Sequence, residues 1–248
     1  MEPIYMLWLR EVKRYTRSKP QILASLGQPL LYLLALGFGL GAVYQKANGT
    51  SYLQFISPGI IGMAVLFSSV FSGIALMWDR QFGFLKETLV APVPRLEIMI
   101  GRTLGSATTS MIQGLLVSVV CLIAGFRPIR LAAVPVALFF LMLIAILFAA
   151  LGTTIGSVIP DMQAFPIVMN FLVLPIFFLS GALFPLDTSP RALQIISSFD
   201  PLSYGVDGMR GALVGHSHFG PLVDTIVLIC VAIVLLCIGA WRFSKIEI

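Results

Sequence analysis

Charge is what this sequence has least of. Asp, Glu, Lys and Arg together make up 11% of the 248 residues, against about 25% in soluble domains, which excludes an ordinary water-facing surface over most of the chain. Three cysteines and two histidines leave little for metal chemistry. Cys121, Cys230 and Cys237 are odd in number with no metal-like spacing, so they read as small apolar packing residues. His216 and His218, without further ligands nearby, read as loop residues. No phosphate-cradling glycine loop, no HExxH, no Ser-His-Asp set and no paired carboxylates at membrane depth are present. The chain therefore binds no cofactor or metal of its own that the sequence reveals, is not expected to be an enzyme, and must draw energy or chemistry from another chain.

What fills the sequence instead is apolar: 58% hydrophobic residues and a mean hydropathy of +0.98. Six stretches approach the roughly 20 residues needed to cross a bilayer: Gln21 to Val43, Phe55 to Met77, Leu104 to Ala124, Ala132 to Val158, Phe165 to Leu183 and Leu222 to Trp241. They leave short loops, so the expectation is an all-α polytopic membrane protein forming one membrane domain over residues 1–248. With the N-terminus inside, eleven of the sixteen Lys and Arg fall on inner loops and five on outer ones, which places both termini in the cytoplasm. The net charge of +5 sits beside span ends, where anionic lipid headgroups attract it, and does not call for nucleic acid. The first apolar stretch is longer than a signal-peptide core and is expected to stay.

Before the first span, Ile4, Leu7, Trp8, Val12 and Tyr15 recur at three- and four-residue steps, with Arg10, Lys13, Arg14 and Arg17 largely elsewhere around the helix. This basic amphipathic helix, over residues 1–20, reads either as a topogenic anchor in the headgroup plane or as an elbow that passes force from a cytoplasmic partner. The longest inner loop, residues 79–102, mixes charge with an apolar stripe of Phe82, Leu85, Leu89 and Val90, and Pro92 and Pro94 stop its short helix. It reads either as a docking element for a groove on a partner or as a solvated loop. Glu87 has Arg80 and Arg102 as candidate partners within the chain.

Residues 185–221 are long for a loop. Ser189-Pro190 and Asp200-Pro201 each signal a helix start, a capping side chain followed by proline at the first position. Leu193, Ile196, Phe199, Leu202, Val206, Met209 and Leu213 are too apolar for solvated chain, so two short re-entrant helices that dip back against the bundle are expected. Within the spans there is essentially no Asp, Glu, Lys or Arg, unlike an ion-coupled transporter. Gln113 and Asn170 are the strongest polar groups there, candidates for the substrate path or for hydrogen bonds between helices. Gly37 and Gly41, Gly101 and Gly105, and Gly152 and Gly156 are spaced to let helices approach closely, within a subunit or at a dimer seam.

Two runs carry a resemblance. Pro58-Gly59-Ile60, followed by Arg80-x-x-Gly83-x-x-x-Glu87-x-Leu89-x-x-x-x-Pro94 with Pro92 beside it, and later Phe178-Leu179-Ser180-Gly181-Ala182-Leu183-Phe184-Pro185-Leu186 followed by Asp200 to Arg210, together resemble the type-2 ATP-binding-cassette transporter permeases, especially the daunorubicin-resistance-like multidrug exporter branch. The resemblance implies that residues 79–102 carry a coupling helix, with Arg80, Phe82, Gly83, Glu87, Leu89, Pro92 and Pro94 at a separate ATPase subunit that binds ATP and Mg. It further implies that Leu7, Trp8, Arg10 and Arg14 belong to a connecting helix, and that Phe177, Phe178, Ser180, Gly181, Phe184 and Pro185 form an outer gate. A second permease copy completes such a transporter, as homo- or heterodimer, in the cytoplasmic (inner) membrane of a prokaryote. The expected cargo is hydrophobic or amphipathic, drug-like or lipid-like. Translocation of lipid, glycolipid or polysaccharide is the alternative within transport, and a membrane scaffold or sensor recruiting a cytoplasmic partner is the alternative outside it.

Overall fold

The computed structural model describes residues 2–39, 41, 51–82, 93–129, 131–159 and 161–244, and among them there are helices and turns but no strand. The helices are α1 (Glu2–Arg17), α2 (Lys19–Tyr32), α3 (Tyr52–Phe71), α4 (Gly73–Gln81), α5 (Arg95–Ile123), α6 (Val134–Val158), α7 (Ala164–Leu179), α8 (Arg191–Ser198), α9 (Pro201–Val214) and α10 (Pro221–Ser244). α2 runs on as a π-helical segment over Leu33–Phe38.

Five of these segments are long and apolar enough to cross a membrane: Lys19–Phe38, Tyr52–Asp79, Arg95–Ile123, Leu131–Val158 and Pro221–Arg242. The fifth expected span is shorter. α7 has 16 residues and stops at Leu179, because the chain turns through Gly181 at φ +69°, a left-handed conformation that glycine adopts without a Cβ clash. The third span is longer than its apolar stretch. α5 starts at Arg95, with Pro94 just before it, and so absorbs Arg102, which the sequence places in a loop.

The centre of the bundle is α3 against α5 and α6, with α10 along α6 and α9 packed on α3, α6 and α10. Fourteen of the twenty α3 residues are buried. Lipid tails are as apolar as leucine, so helices in a membrane gain little from hiding greasy surface and associate through close packing. Gly152 shows this: a Cβ there would stand 2.4 Å from the Val70 carbonyl oxygen, and one at Gly156 would stand 2.8 Å from that of Gly73. This glycine pair brings α6 onto the α3–α4 junction, a contact within the chain.

Of the two helix starts expected in residues 185–221, one holds as read. Asp200 accepts from the Leu202 backbone N–H at 2.9 Å with Pro201 at the first position. The other differs: Pro190 itself takes the cap position of α8, while the Ser189 hydroxyl donates back to the Pro185 carbonyl at 2.8 Å. Ten of fourteen α9 residues are buried, so this helix is part of the bundle and not a surface loop.

The interior is less free of charge than the sequence reading holds. Asp79, Arg102, Asp207, Arg210 and Asp224 are all buried. Asp224, in the first turn of α10, falls inside an expected span. Asp207 spends its carboxylate on the Ser217 hydroxyl and the backbone N–H groups of His218 and Phe219 at 2.8 to 2.9 Å. Cys121 is buried but Cys230 and Cys237 are exposed on α10, which corrects the reading of all three as packing residues.

Candidate functional site

α1 is seated on α5 by the absence of two side chains. A Cβ at Gly101 would stand 3.0 Å from the Ile4 carbonyl oxygen and from Leu7 Cβ, and one at Gly105 would stand 2.7 Å from Glu11 Cβ. The contact is fixed by Trp8, whose Nε1 donates to Thr108 Oγ1 at 2.9 Å, while Leu7 packs beside Leu76 and Ile98. Gly101 and Gly105 are thus used up inside the subunit.

The last turn of α4 carries Asp79, which is 4% exposed. One of its oxygens accepts from Arg10 at 2.9 Å and the other from Arg102 at 2.6 Å. A single carboxylate joins α1, α4 and α5. Arg14 instead pairs with Glu11, one turn back on α1. Removing one partner of a buried pair leaves an uncompensated charge, at a cost of about 3–5 kcal/mol. Glu87, for which Arg102 is a candidate partner, lies outside the described residues.

Beside this junction lies a cavity of about 910 Å³ bounded by α1, α2, α3, α4, α5 and α7, within the size range of small-molecule sites. Its lining is of three kinds: Arg10, Glu11, Arg14 and Asp79 supply charge; Ser25, Gln28, Ser68, Ser106 and Thr109 supply neutral hydrogen-bonding groups; Met63, Phe67, Phe71, Trp78 and Leu174 supply apolar surface. Gln113 and Asn170, on α5 and α7, line the same cavity. Gln113 is 1% exposed, and its amide oxygen accepts from the hydroxyls of Tyr15 at 2.6 Å and Ser25 at 2.9 Å. Burial raises the Tyr15 phenol above its ordinary value, so that hydroxyl remains a donor. Through it α1 touches the cavity directly.

At the end of the bundle opposite α1, the Tyr32 and Phe177 rings meet edge to face, centroids 5.7 Å apart. Each stands three residues past a lining residue, Pro29 and Leu174, about one helical turn beyond the cavity. Phe177 is buried, whereas Phe178 is 44% exposed. The buried Ser180 hydroxyl donates to the Phe177 carbonyl at 2.8 Å, and Phe184 and Pro185 are half-buried. The two runs that carry the resemblance touch here: a Cβ on Gly59 would stand 2.4 Å from the Ala182 carbonyl oxygen.

Of the expected coupling residues, Arg80 falls in the last turn of α4, Pro94 is the residue before α5, and Phe82 is 61% exposed, its ring tilted against that of Trp78 with centroids 5.6 Å apart. Gly83, Glu87, Leu89 and Pro92 lie outside the described residues. Sequence reasoning gave no site role to Asp79, Tyr15, Ser25 or Arg210. Asp79 had a signal, an acid at the end of an apolar run, where a lone carboxylate is costly unless paired. Tyr15 and Ser25 had none, since their partner Gln113 is about ninety residues away. Among the described residues no group of three His, Cys, Asp or Glu is placed to hold a metal ion.

The sequence matches the family model described as ABC-2 type transporter over residues 2–214. It is 31% identical to Nodulation protein J of Rhizobium leguminosarum bv. trifolii, covering 94% of this chain and 86% of that protein. It is 28% identical to the inner membrane transport permease YadH of Escherichia coli K12, covering 96% and 93%.

Proposed function

Since the chain belongs to the ABC-2 type transporter family, we propose that this permease exports a hydrophobic or amphipathic substrate, drug-like or lipid-like, driven by ATP hydrolysis in a separate subunit. The observation that carries this is the cavity, whose lining combines charged, neutral hydrogen-bonding, and aromatic and aliphatic side chains. An amphiphile satisfies all three surfaces, whereas a bare ion would leave the walls unused. YadH is by its name an inner membrane protein, and the same location, with both termini cytoplasmic, is proposed here. Two cavity-lining helices, α2 and α7, bury few residues within the subunit, and a second permease copy is proposed to pack there and complete the pathway.

In this reading the ATPase grips residues 79–102 and α1. Asp79 ties the end of α4, where that loop begins, to α1 and α5. The Tyr15–Gln113 hydrogen bond then carries any displacement of α1 into the cavity wall. Nucleotide binding and release shift the permease between conformations by favouring one separation of the ATPase pair over another. Cargo enters with its polar part toward Arg10 and Gln28 and its apolar part against Phe67, Phe71 and Leu174.

Reconstitution with the ATPase subunit tests this. Candidate amphiphiles should stimulate hydrolysis, and Asn170→Ala together with Phe71→Ala should raise the concentration needed for half-stimulation about tenfold, as the loss of one apolar contact and one hydrogen bond implies. Unchanged stimulation in the double variant would remove the cavity from the pathway. ATP turnover by the permease alone would remove the need for a partner.

A further inference from the structure

Past the end of α7, backbone carbonyls that no helix satisfies are taken up by side chains from three other elements. The Ser197 hydroxyl of α8 donates to the Leu179 carbonyl, and the Tyr52 hydroxyl of α3 donates to that of Leu183 at 2.8 Å. Between them Arg210 of α9 donates to Gly181 O at 3.0 Å and Ala182 O at 3.4 Å. The guanidinium carbon of Arg210 also lies 4.0 Å from the centroid of the Phe55 ring, and the residue is 7% exposed. A cation held this deep against neutral carbonyls and an aromatic face gains from both, and arginine cannot lose its charge to escape burial.

The position of this turn gives the contact its meaning. Met63 of α3 lines the cavity; Gly59, one helical turn earlier, abuts the Ala182 carbonyl. The turn at 180–183 therefore lies one turn beyond the cavity, behind the Tyr32–Phe177 pair, and cargo leaving by that end must displace it. Apolar packing alone would hold such a turn loosely in lipid; hydrogen bonds from a buried cation hold it firmly, yet exchange for others when α7 or α9 moves.

We propose that Arg210 is the positioning residue that keeps this end of the pathway shut, by clamping the carbonyls of Gly181 and Ala182, and that opening requires α9 and α7 to part at this contact. The role in transport rests on the permease reading; the clamp itself does not. Hydrogen–deuterium exchange on the full chain in lipid nanodiscs, without cargo or ATP, therefore separates the two. Arg210→Gln should speed exchange of the amides of residues 180–184 about tenfold, the order expected for loss of a charge-assisted hydrogen bond. Arg210→Lys should speed it less, and α6 and α10 should be unaffected in both. Wild-type exchange at 180–184 in Arg210→Gln, or an equal rise across α6 and α10, overturns the clamp. Should Arg210→Gln fail to fold, Phe55→Leu, which removes the ring facing the guanidinium, is expected to speed the same amides by about two- to threefold; no local change in that variant overturns the clamp equally.

Discussion

α3 and α7 are both apolar helices beside the cavity, yet α3 buries fourteen of twenty residues while α7 buries four of sixteen: Phe165, Met169, Val173 and Phe177. Those four recur every fourth residue, a stripe one side chain wide along one helix face. α2 is similar, with Pro29 its one buried residue. The cavity is thus a fixed wall of α3 and α5, locked by glycine contacts and ion pairs, closed by two thin walls that each rest on a narrow seam. A helix held by one stripe can pivot about it without opening the core, so the walls that border the cargo are those cheapest to move. The exposed faces of α7, with Ile167, Val168, Phe171 and Phe178, are left for lipid or a second copy.

The contrast is open to breakage, first on the fixed side. Asp79→Ala should cost about 3–5 kcal/mol, because Arg102 is left buried without its partner, read as lost thermal stability in detergent; an Asp79→Ala, Arg102→Leu double variant should recover part of it. Gly152→Val should cost about 1–3 kcal/mol or more, since its side chain meets backbone rather than a flexible tip, and a yield of folded protein equal to wild type would show that α6 has slack the structure denies. Gly105→Val should cost a similar amount but locally, freeing α1 from α5, so that a protease cuts near Ser18 faster while the remaining bundle melts as before.

Tyr15→Phe should cost about 1 kcal/mol for one hydrogen bond. Cargo stimulation of the reconstituted complex should fall while its basal hydrolysis holds, and a parallel loss of both would mean that α1 only supports the fold. The smallest effect is expected on the thin wall: Phe171→Ala, at a residue 82% exposed, should change stability by less than about 0.5 kcal/mol. A loss above 1 kcal/mol with altered self-association would instead identify that face as the seam between copies.

Much of this was legible in the chain. That the described residues are helical, with five apolar segments long enough to span, followed from apolar length, because a bilayer demands spans of a given size, and Asp200 with Pro201 announced α9 through local stereochemistry alone. The break at Gly181 was written in the residue but not in the pattern, since Leu183 and Phe184 continue the apolar run past the point where the helix stops. The glycine pairs were visible as pairs, yet nothing in their spacing said that Gly101 and Gly105 receive α1 while Gly152 and Gly156 receive the α3–α4 junction. Gln113 and Asn170 stood out as lone polar residues, but that they share a cavity depends on α5 and α7 facing each other across it.

The sequence by itself decided that the protein lives in a membrane, which segments are helical and which family it belongs to, since these rest on composition, local capping and short motifs that neighbours along the chain can read. Only the tertiary structure decided that Asp79 joins three helices, that Arg210 holds the turn after α7, and that Gly59 meets Ala182. Each of those depends on atoms brought together from distant parts of the chain, where a hydrogen bond or a missing Cβ acts over about 3 Å and a sequence offers no measure of distance.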